Sequence, residues 1–152
     1  TVPERLKLAE TMGATCTVNA KALEANVCPS DIVKEKTRGL GAGVIVEATG
    51  AHSIVYAEIE KMMAVGAHII QLGVGNSPAQ INLIHFQRGQ AVISGSLGTA
   101  GSDIFPSVIR LMETGRIDMR PIITGRFSLE QTADAIALAM TPGQGKIIVT
   151  NF

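Results

Sequence analysis

The residues best placed to do chemistry sit at three glycine-bearing turns. Glu47-Ala48-Thr49-Gly50, Leu72-Gly73-Val74-Gly75 and Gly95-Ser96-Leu97-Gly98 each close an apolar run of strand-like composition. Glycine there lets the backbone approach a ligand closely. In open parallel sheets, ligands bind outside the carboxyl ends of the strands. Any one of these turns reads as a tight turn and no more; three in succession point to a nucleotide-type crevice. Other candidates for chemistry are few. Cys16 and Cys28 lack CxxC spacing, and His52, His68 and His85 share no H-x-x-x-H pattern. His68 opens a strand and His85 falls in an apolar helix, so the histidines read as structural. Gly39-Leu40-Gly41-Ala42-Gly43 follows a helix and precedes a strand. That is the reverse of the order a phosphate-binding glycine loop requires.

The elements that must carry these turns can be read from periodicity and punctuation. Pro3 to Gly13 is expected to be a helix with Gly13 as its cap. Thr15 to Val18 is a short strand candidate, and Ser30 to Arg38 a second helix. Val44 to Ala48 is expected to be a buried parallel strand. Ser53 to Val65 follows as a helix closed by Gly66, then a strand from His68 to Leu72. Gln80 to Arg88 reads as a shorter helix and Ala91 to Ser96 as a strand. Asp103 to Thr114 carries Ile104, Phe105, Val108, Ile109, Leu111 and Met112 at helical spacing, with Pro106 in its first turn. Ile122 to Thr124 is strand-like. Ser128-Leu129-Glu130-Gln131 has the form of a capping box opening a helix to about Met140. Lys146 to Thr150 closes the chain as a strand. The alternation of strand, glycine turn and helix gives an α/β fold with a parallel sheet and crossover helices.

Composition narrows the field further. Apolar residues make up 46% and charged residues 17% of the 152, which is globular. Aromatic residues are only 3%, with no tryptophan, so the core is aliphatic. Thirteen basic residues balance thirteen acidic ones. The densest basic stretch, Lys34 to Arg38, includes Glu35 and reads as a solvated helix face, so a nucleic-acid partner is not expected. No apolar run reaches the roughly 20 residues of a membrane span, and no signal peptide is expected. Two cysteines are too few for a disulfide framework, so a cytoplasmic setting is expected.

The segments also carry a resemblance. Glu4 to Ala14 (ERLKLAETMGA) resembles the segment after the second strand of medium-chain dehydrogenases. Val44 to Gly50 (VIVEATG) is similar to their fourth strand and Ile69 to Val74 (IIQLGV) to their fifth. Gly95 to Gly98 through Phe105-Pro106, and Gly115 to Asp118 through Arg126 to Glu130, resemble the tail of the sorbitol and threonine dehydrogenase branch. Lys146 to Val149 is similar to the closing strand. Order and spacing together make the chain resemble the C-terminal portion of a zinc-type medium-chain alcohol or polyol dehydrogenase.

The resemblance implies an incomplete Rossmann-type parallel sheet with flanking helices, then a helix and strand that return to the catalytic domain. Residues 1–100 would be a partial dinucleotide-binding domain lacking its first two strands. Residues 101–152 would be an interdomain helix and the end of the catalytic domain. The resemblance also implies NAD or NADP as cofactor. Arg5 would approach the adenosine ribose, which decides nothing between the two. Ala48 and Thr49 would flank the adenine and Leu72 and Val74 would lie beside the nicotinamide, with Gly50 and Gly73 also among the cofactor-binding residues. Ser96, Leu97 and Gly98 would meet the carboxamide through backbone groups, and Lys146 the pyrophosphate. The phosphate fingerprint, the ribose-binding acid and the zinc ligands would all precede Thr1, so this chain is expected to hold no zinc ligand and no catalytic residue. The intact enzyme would pass hydride from a small secondary alcohol or polyol; the chain alone is not expected to turn over. A short-chain dehydrogenase is rejected, because Tyr56 is followed four residues later by Glu60 and not by lysine. The alternative is a non-catalytic truncated module with an oligomerising or structural role. Lost central strands would expose sheet edges, so a homo-oligomer or a rearranged sheet is expected.

Overall fold

The computed structural model describes residues 1–98 and 103–151, Asn151 by its backbone alone. The chain forms two compact units, Leu23–Gly101 and Thr1–Ala22 with Ser102–Phe152. The expected border between residues 100 and 101 lies outside the described residues.

In the unit Leu23–Gly101 the order is α2 (Pro29–Lys36), β1 (Ala42–Glu47), α3 (His52–Met62), β2 (Met63–Gln71), α4 (Leu83–Gly89) and β3 (Val92–Gly95). Helix α1 (Pro3–Thr11) belongs to the other unit. The three strands form a parallel sheet in the order β1-β2-β3. Ile45 pairs with Ile69 and Ile69 with Ile93; Glu47 pairs with Gln71 and Gln71 with Gly95. These residues share one face, because side chains alternate along a strand. Tyr56 and Ile59 of α3 pack there against Ile45, Ala67 and Ile69. The opposite face carries Val44, Val46 and Val92, all exposed. β1 is therefore covered on one face, not enclosed on both as its apolar run led us to expect. The helix that follows it lies over the Ile45 side.

The largest departures from the expected element boundaries in this unit are at the α3–β2 junction and the start of α4. Helix α3 stops at Met62 and β2 starts at Met63, three residues before the expected glycine stop. Met63 pairs with Ala42, and Gly41, at φ +85°, packs against the Met62–Met63 backbone. A side chain at Gly41 would strike that backbone, so strand pairing and close approach end the helix early. His68 is consequently mid-strand, its Nε2 2.7 Å from Ser94 Oγ on β3. Helix α4 starts at Leu83, because Asn82 caps it by accepting from Ile84 N at 3.2 Å.

The other unit contains α1, α5 (Ile104–Glu113), β4 (Ile123–Ser128), α6 (Thr132–Ala139) and β5 (Lys146–Asn151). β4 and β5 pair in parallel, and α6 crosses between them and packs on both. Ala135 is the buried contact of α6. Thr15–Val18 forms no strand and pairs with none among the described residues; Thr17 Oγ1 instead donates to Glu10 Oε1 at 2.7 Å. The expected capping box is half made. Gln131 Oε1 accepts from Ser128 N at 3.2 Å, but the Ser128 hydroxyl turns to Glu130 at 2.6 Å. Ser128 ends β4, and α6 begins only at Thr132.

Ile69 is fully buried at the centre of the sheet. Replacing it with alanine leaves a cavity that α3 and the flanking strands fill only in part. Ile69→Ala is expected to lower the unfolding free energy by about 3 kcal/mol, read from urea titration. A loss below about 1 kcal/mol would show a looser core than the one described.

Candidate functional site

The carboxyl ends of β1 and β2 are held together by a buried carboxylate. Glu47 is the last residue of β1 and is 1% exposed. Its Oε1 accepts from the Thr49 amide at 2.7 Å, the Thr49 hydroxyl, and the Gly50 amide at 3.1 Å. Its Oε2 accepts from Gln71 Nε2 at 2.8 Å and lies 3.4 Å from His52 Nε2. Gln71 Nε2 also donates to the Gly73 carbonyl at 2.8 Å, and Gln71 Oε1 accepts from the buried Tyr56 hydroxyl at 2.9 Å. His52 sits at the start of α3, with Nε2 3.2 Å from Gly73 O and Nδ1 3.3 Å from Ser77 O. Carboxylate, amide, phenol and imidazole thus form one network between two strand ends and one helix. Beside it lies an open depression of about 310 Å³ walled by His52, Tyr56, Gln71 and Ile93.

Charge in this network is set by two opposed effects. Burial pushes the Glu47 carboxyl up. Hydrogen bonds from the Thr49 hydroxyl and amide, from Gln71 and from the Gly50 amide outweigh that and hold it below its ordinary value. Burial first, and the Glu47 charge second, push the Tyr56 phenol up. Glu47 is therefore an acceptor for its neighbours' hydrogens and Tyr56 a donor.

The two turns above this network interlock. Gly50 has φ +73°, a left-handed conformation that favours glycine. A Cβ on Gly50 would run into Val74 O, one on Gly73 into Gly50 N and the Glu47 carboxylate, and one on Gly75 into Gly50 O. The backbone of Leu72–Gly75 consequently lies directly against Thr49–Gly50. The main-chain carbonyl of Glu47 adds bonds from Leu72 N at 2.8 Å and Gly73 N at 2.7 Å. β3 joins them through Ser96 N, which donates to Gln71 O at 2.9 Å.

The residues singled out from the sequence fall into two groups. Ala48, Thr49, Gly50, Leu72, Gly73, Val74, Ser96, Leu97 and Gly98 lie at the carboxyl ends of three adjacent parallel strands in one unit. Val74 is 91% exposed and Leu97 75%, so their apolar side chains face open space and contribute nothing to the core. Arg5 and Lys146 belong to the other unit, where both are exposed and line a depression of about 450 Å³ together with Leu8, Ala9, Ile122 and Gly145. Each histidine has a neighbour within its own unit: His52 as above, His68 at Ser94, and His85 Nδ1 3.1 Å from Glu60 Oε2. Among the described residues no three of His, Cys, Asp and Glu converge to hold a metal ion.

The sequence reading named the turns and passed over the carboxylate beneath them. A signal for it existed. Alternation places Ile45 and Glu47 on the same face of β1, so a face that buries Ile45 buries an acid two residues on. Buried carboxylates need donors, and Thr49, Gln71 and His52 stand close in sequence to the same strand ends.

A carboxyl held lower in the folded chain than in the unfolded one stabilises the fold at pH values above its unfolded pKa. That share disappears as pH falls through the folded value. The stability advantage of the natural sequence over Glu47→Gln is expected to be full above about pH 5 and to shrink below about pH 4. Urea midpoints for both proteins across this range check it. An advantage that grows on acidification contradicts it.

Comparison with known proteins follows the same lines. The family model described as zinc-binding dehydrogenase matches residues 1–114. The L-threonine 3-dehydrogenase of Bacillus subtilis (strain 168) is 32% identical over 146 residues, covering 95% of this chain and 41% of that protein. A D-xylulose reductase of Morganella morganii is 27% identical over 139 residues, covering 91% of this chain and 39% of its own length. The chain thus spans about two fifths of the length of these curated relatives. A solved structure described as a putative alcohol dehydrogenase from Thermotoga maritima superposes with a TM-score of 0.87 at 29% identity, covering 97% of this chain and 38% of that one. With the parallel sheet, the glycine turns at its strand ends and a family match over most of its length, the chain belongs to the zinc-binding dehydrogenase family.

Proposed function

We propose that the chain supplies part of the dinucleotide-binding face of an oxidoreductase that moves hydride from a secondary alcohol or polyol to NAD or NADP. The observation that carries this reading is the pair of interlocked glycine turns at the carboxyl ends of β1 and β2, in a chain of this family. In open parallel sheets a flat, extended cofactor lies outside the carboxyl ends of the strands, and the interlocked turns hold Ala48, Thr49, Leu72 and Val74 there. The residues present fit such a group. Ala48 and Thr49 offer small walls to an adenine, and the exposed Leu72 and Val74 offer apolar contact to a nicotinamide. Ser96, Leu97 and Gly98 offer backbone groups to its carboxamide. Arg5 and Lys146, in the other unit, are cations of the kind that the resemblance assigns to ribose-side and pyrophosphate oxygens, and neither chooses between NAD and NADP. When bound, the nicotinamide is what accepts the hydride. The chain's own share is to bring backbone close, to exclude water with apolar side chains, and to offset phosphate charge.

Zinc does not fit the residues present. Among the described residues neither Cys16 nor Cys28 belongs to a group of three that could hold a metal ion, and the histidines are engaged as described. No step through a metal and no proton transfer is assigned to this chain. Activity and alcohol substrate belong to an enzyme of the relatives' full length, of which this chain spans about two fifths. Balanced charge and two unpaired cysteines support a cytoplasmic setting.

Titration of NAD⁺ into the isotope-labelled chain is expected to shift the amide resonances of Thr49, Gly50, Gly73, Val74 and Leu97 in a saturable way, with Kd on the order of 1 mM. Shifts confined to other residues would sink the reading. The purified chain is expected to show no turnover of sorbitol or threonine with NAD⁺ and zinc. Zinc-dependent oxidation by the chain itself would show that the catalytic parts are here after all.

A further inference from the structure

Glu47 does no chemistry in the reading above, yet more bonds converge on it than on any of the proposed wall residues. Its main-chain carbonyl takes the amides of Leu72 and Gly73. Its side chain takes the amide and hydroxyl of Thr49, the amide of Gly50 and the amide nitrogen of Gln71. One residue is therefore bonded to both turns. A carboxylate is an acceptor at both oxygens, and every group facing it here is a donor or an imidazole. A side-chain amide in its place would present N–H groups to the N–H groups of Thr49 and Gly50 or to that of Gln71. No rotation of such an amide serves both sets.

We propose that Glu47 is a positioning residue for dinucleotide binding: its ionised carboxylate sets how the Ala48–Gly50 turn seats against the Leu72–Val74 turn. This rests on the reading that the dinucleotide lies against those turns. The groups that face the carboxylate are Thr49 and Gly50 from the turn after β1, Gln71 from β2 and His52 from α3, with Tyr56 of α3 bonded to Gln71. Protonation adds an O–H where the Thr49 hydrogens or the Gln71 hydrogen point, and the turns lose a bond in common. Gly73 transmits the change directly, since its Cα carries no side chain and abuts both the carboxylate and the Gly50 amide. The wall geometry and the charge of one buried acid are thus a single variable.

The test is NAD⁺ and NADP⁺ titration, followed by amide shifts, of the natural chain, Glu47→Gln and Thr49→Val between about pH 3 and about pH 7. Glu47→Gln is expected to keep the dispersed spectrum of a folded chain and to raise Kd about tenfold for both dinucleotides. The natural chain is expected to lose affinity toward the acid end, while Glu47→Gln stays weak and flat across the range. Thr49→Val keeps the carboxylate and removes one donor, so it should raise Kd about threefold and keep the pH dependence. A purely structural acid would change stability alone. A folded Glu47→Gln with unchanged Kd, or one sharing the natural chain's pH profile, overturns the proposal. Should Glu47→Gln fail to fold, an unchanged Kd in Thr49→Val together with a flat profile in the natural chain overturns it equally. A natural chain that shows no saturable shift overturns the dinucleotide reading beneath it, and is told apart because it involves no variant.

Discussion

A carboxylate removed from water must have its oxygens filled by donors or give up its charge. Glu47 keeps its charge, and the local chain is arranged so that it can. The turn after β1 folds back to aim two amides and a hydroxyl at one oxygen. β2 brings Gln71 to the other. Gln71 is in turn held by Tyr56, which α3 delivers from the far side. Neither Gln71 nor Tyr56 is placed by local preference. Each is where it is because the sheet register sets Glu47 opposite Gln71 and the helix returns over that face. Glycine at positions 50, 73 and 75 then allows the two backbones to close over the acid.

Legibility in the sequence followed the range of the interactions. Strand β1, the glycine turns and the parallel rhythm were readable, because alternation and turn residues act within a few positions. The residues of the two strand-end turns were named from that rhythm together with the family resemblance, and the structure brings their backbones into contact. The Glu47–Gln71–His52–Tyr56 network was not named. Its partners lie up to 24 residues apart, and nothing local says which polar side chain will meet which. The start of β2 was misplaced for the same reason: helix propensity continues past Met62, and only pairing with Ala42 overrides it. Ser128 looked like a helix cap and ends a strand, because β5 claims its backbone before α6 can.

The two units differ in how they spend their apolar residues. In Leu23–Gly101 the core is a single face of three strands under α3, built from Ile45, Ile59, Ala67 and Ile69 around one tyrosine. In the other, a minimal βαβ crossover buries Ala135 alone of its apolar residues among those described, and Gly125 leaves room for Ile147, Phe127 and Leu138 to meet. Both follow from a composition with almost no aromatic residues: small aliphatic side chains pack in thin layers, so fine differences in backbone spacing decide what fits.

The junction of α3 and β2 has a consequence for how such a chain can change over time. No loop residue separates Met62 from Met63, so helix and strand share one continuous covalent path from Tyr56 to Gln71. The 2.9 Å bond between those two side chains closes that path into a ring of fixed length. Inserting or deleting one residue within it would turn Ile69 and Gln71 to the opposite face of the sheet, exchanging them with His68 and Ile70. Length variation in descendants of this sequence is therefore confined to the surface segments on either side, while the stretch between phenol and amide behaves as a ruler.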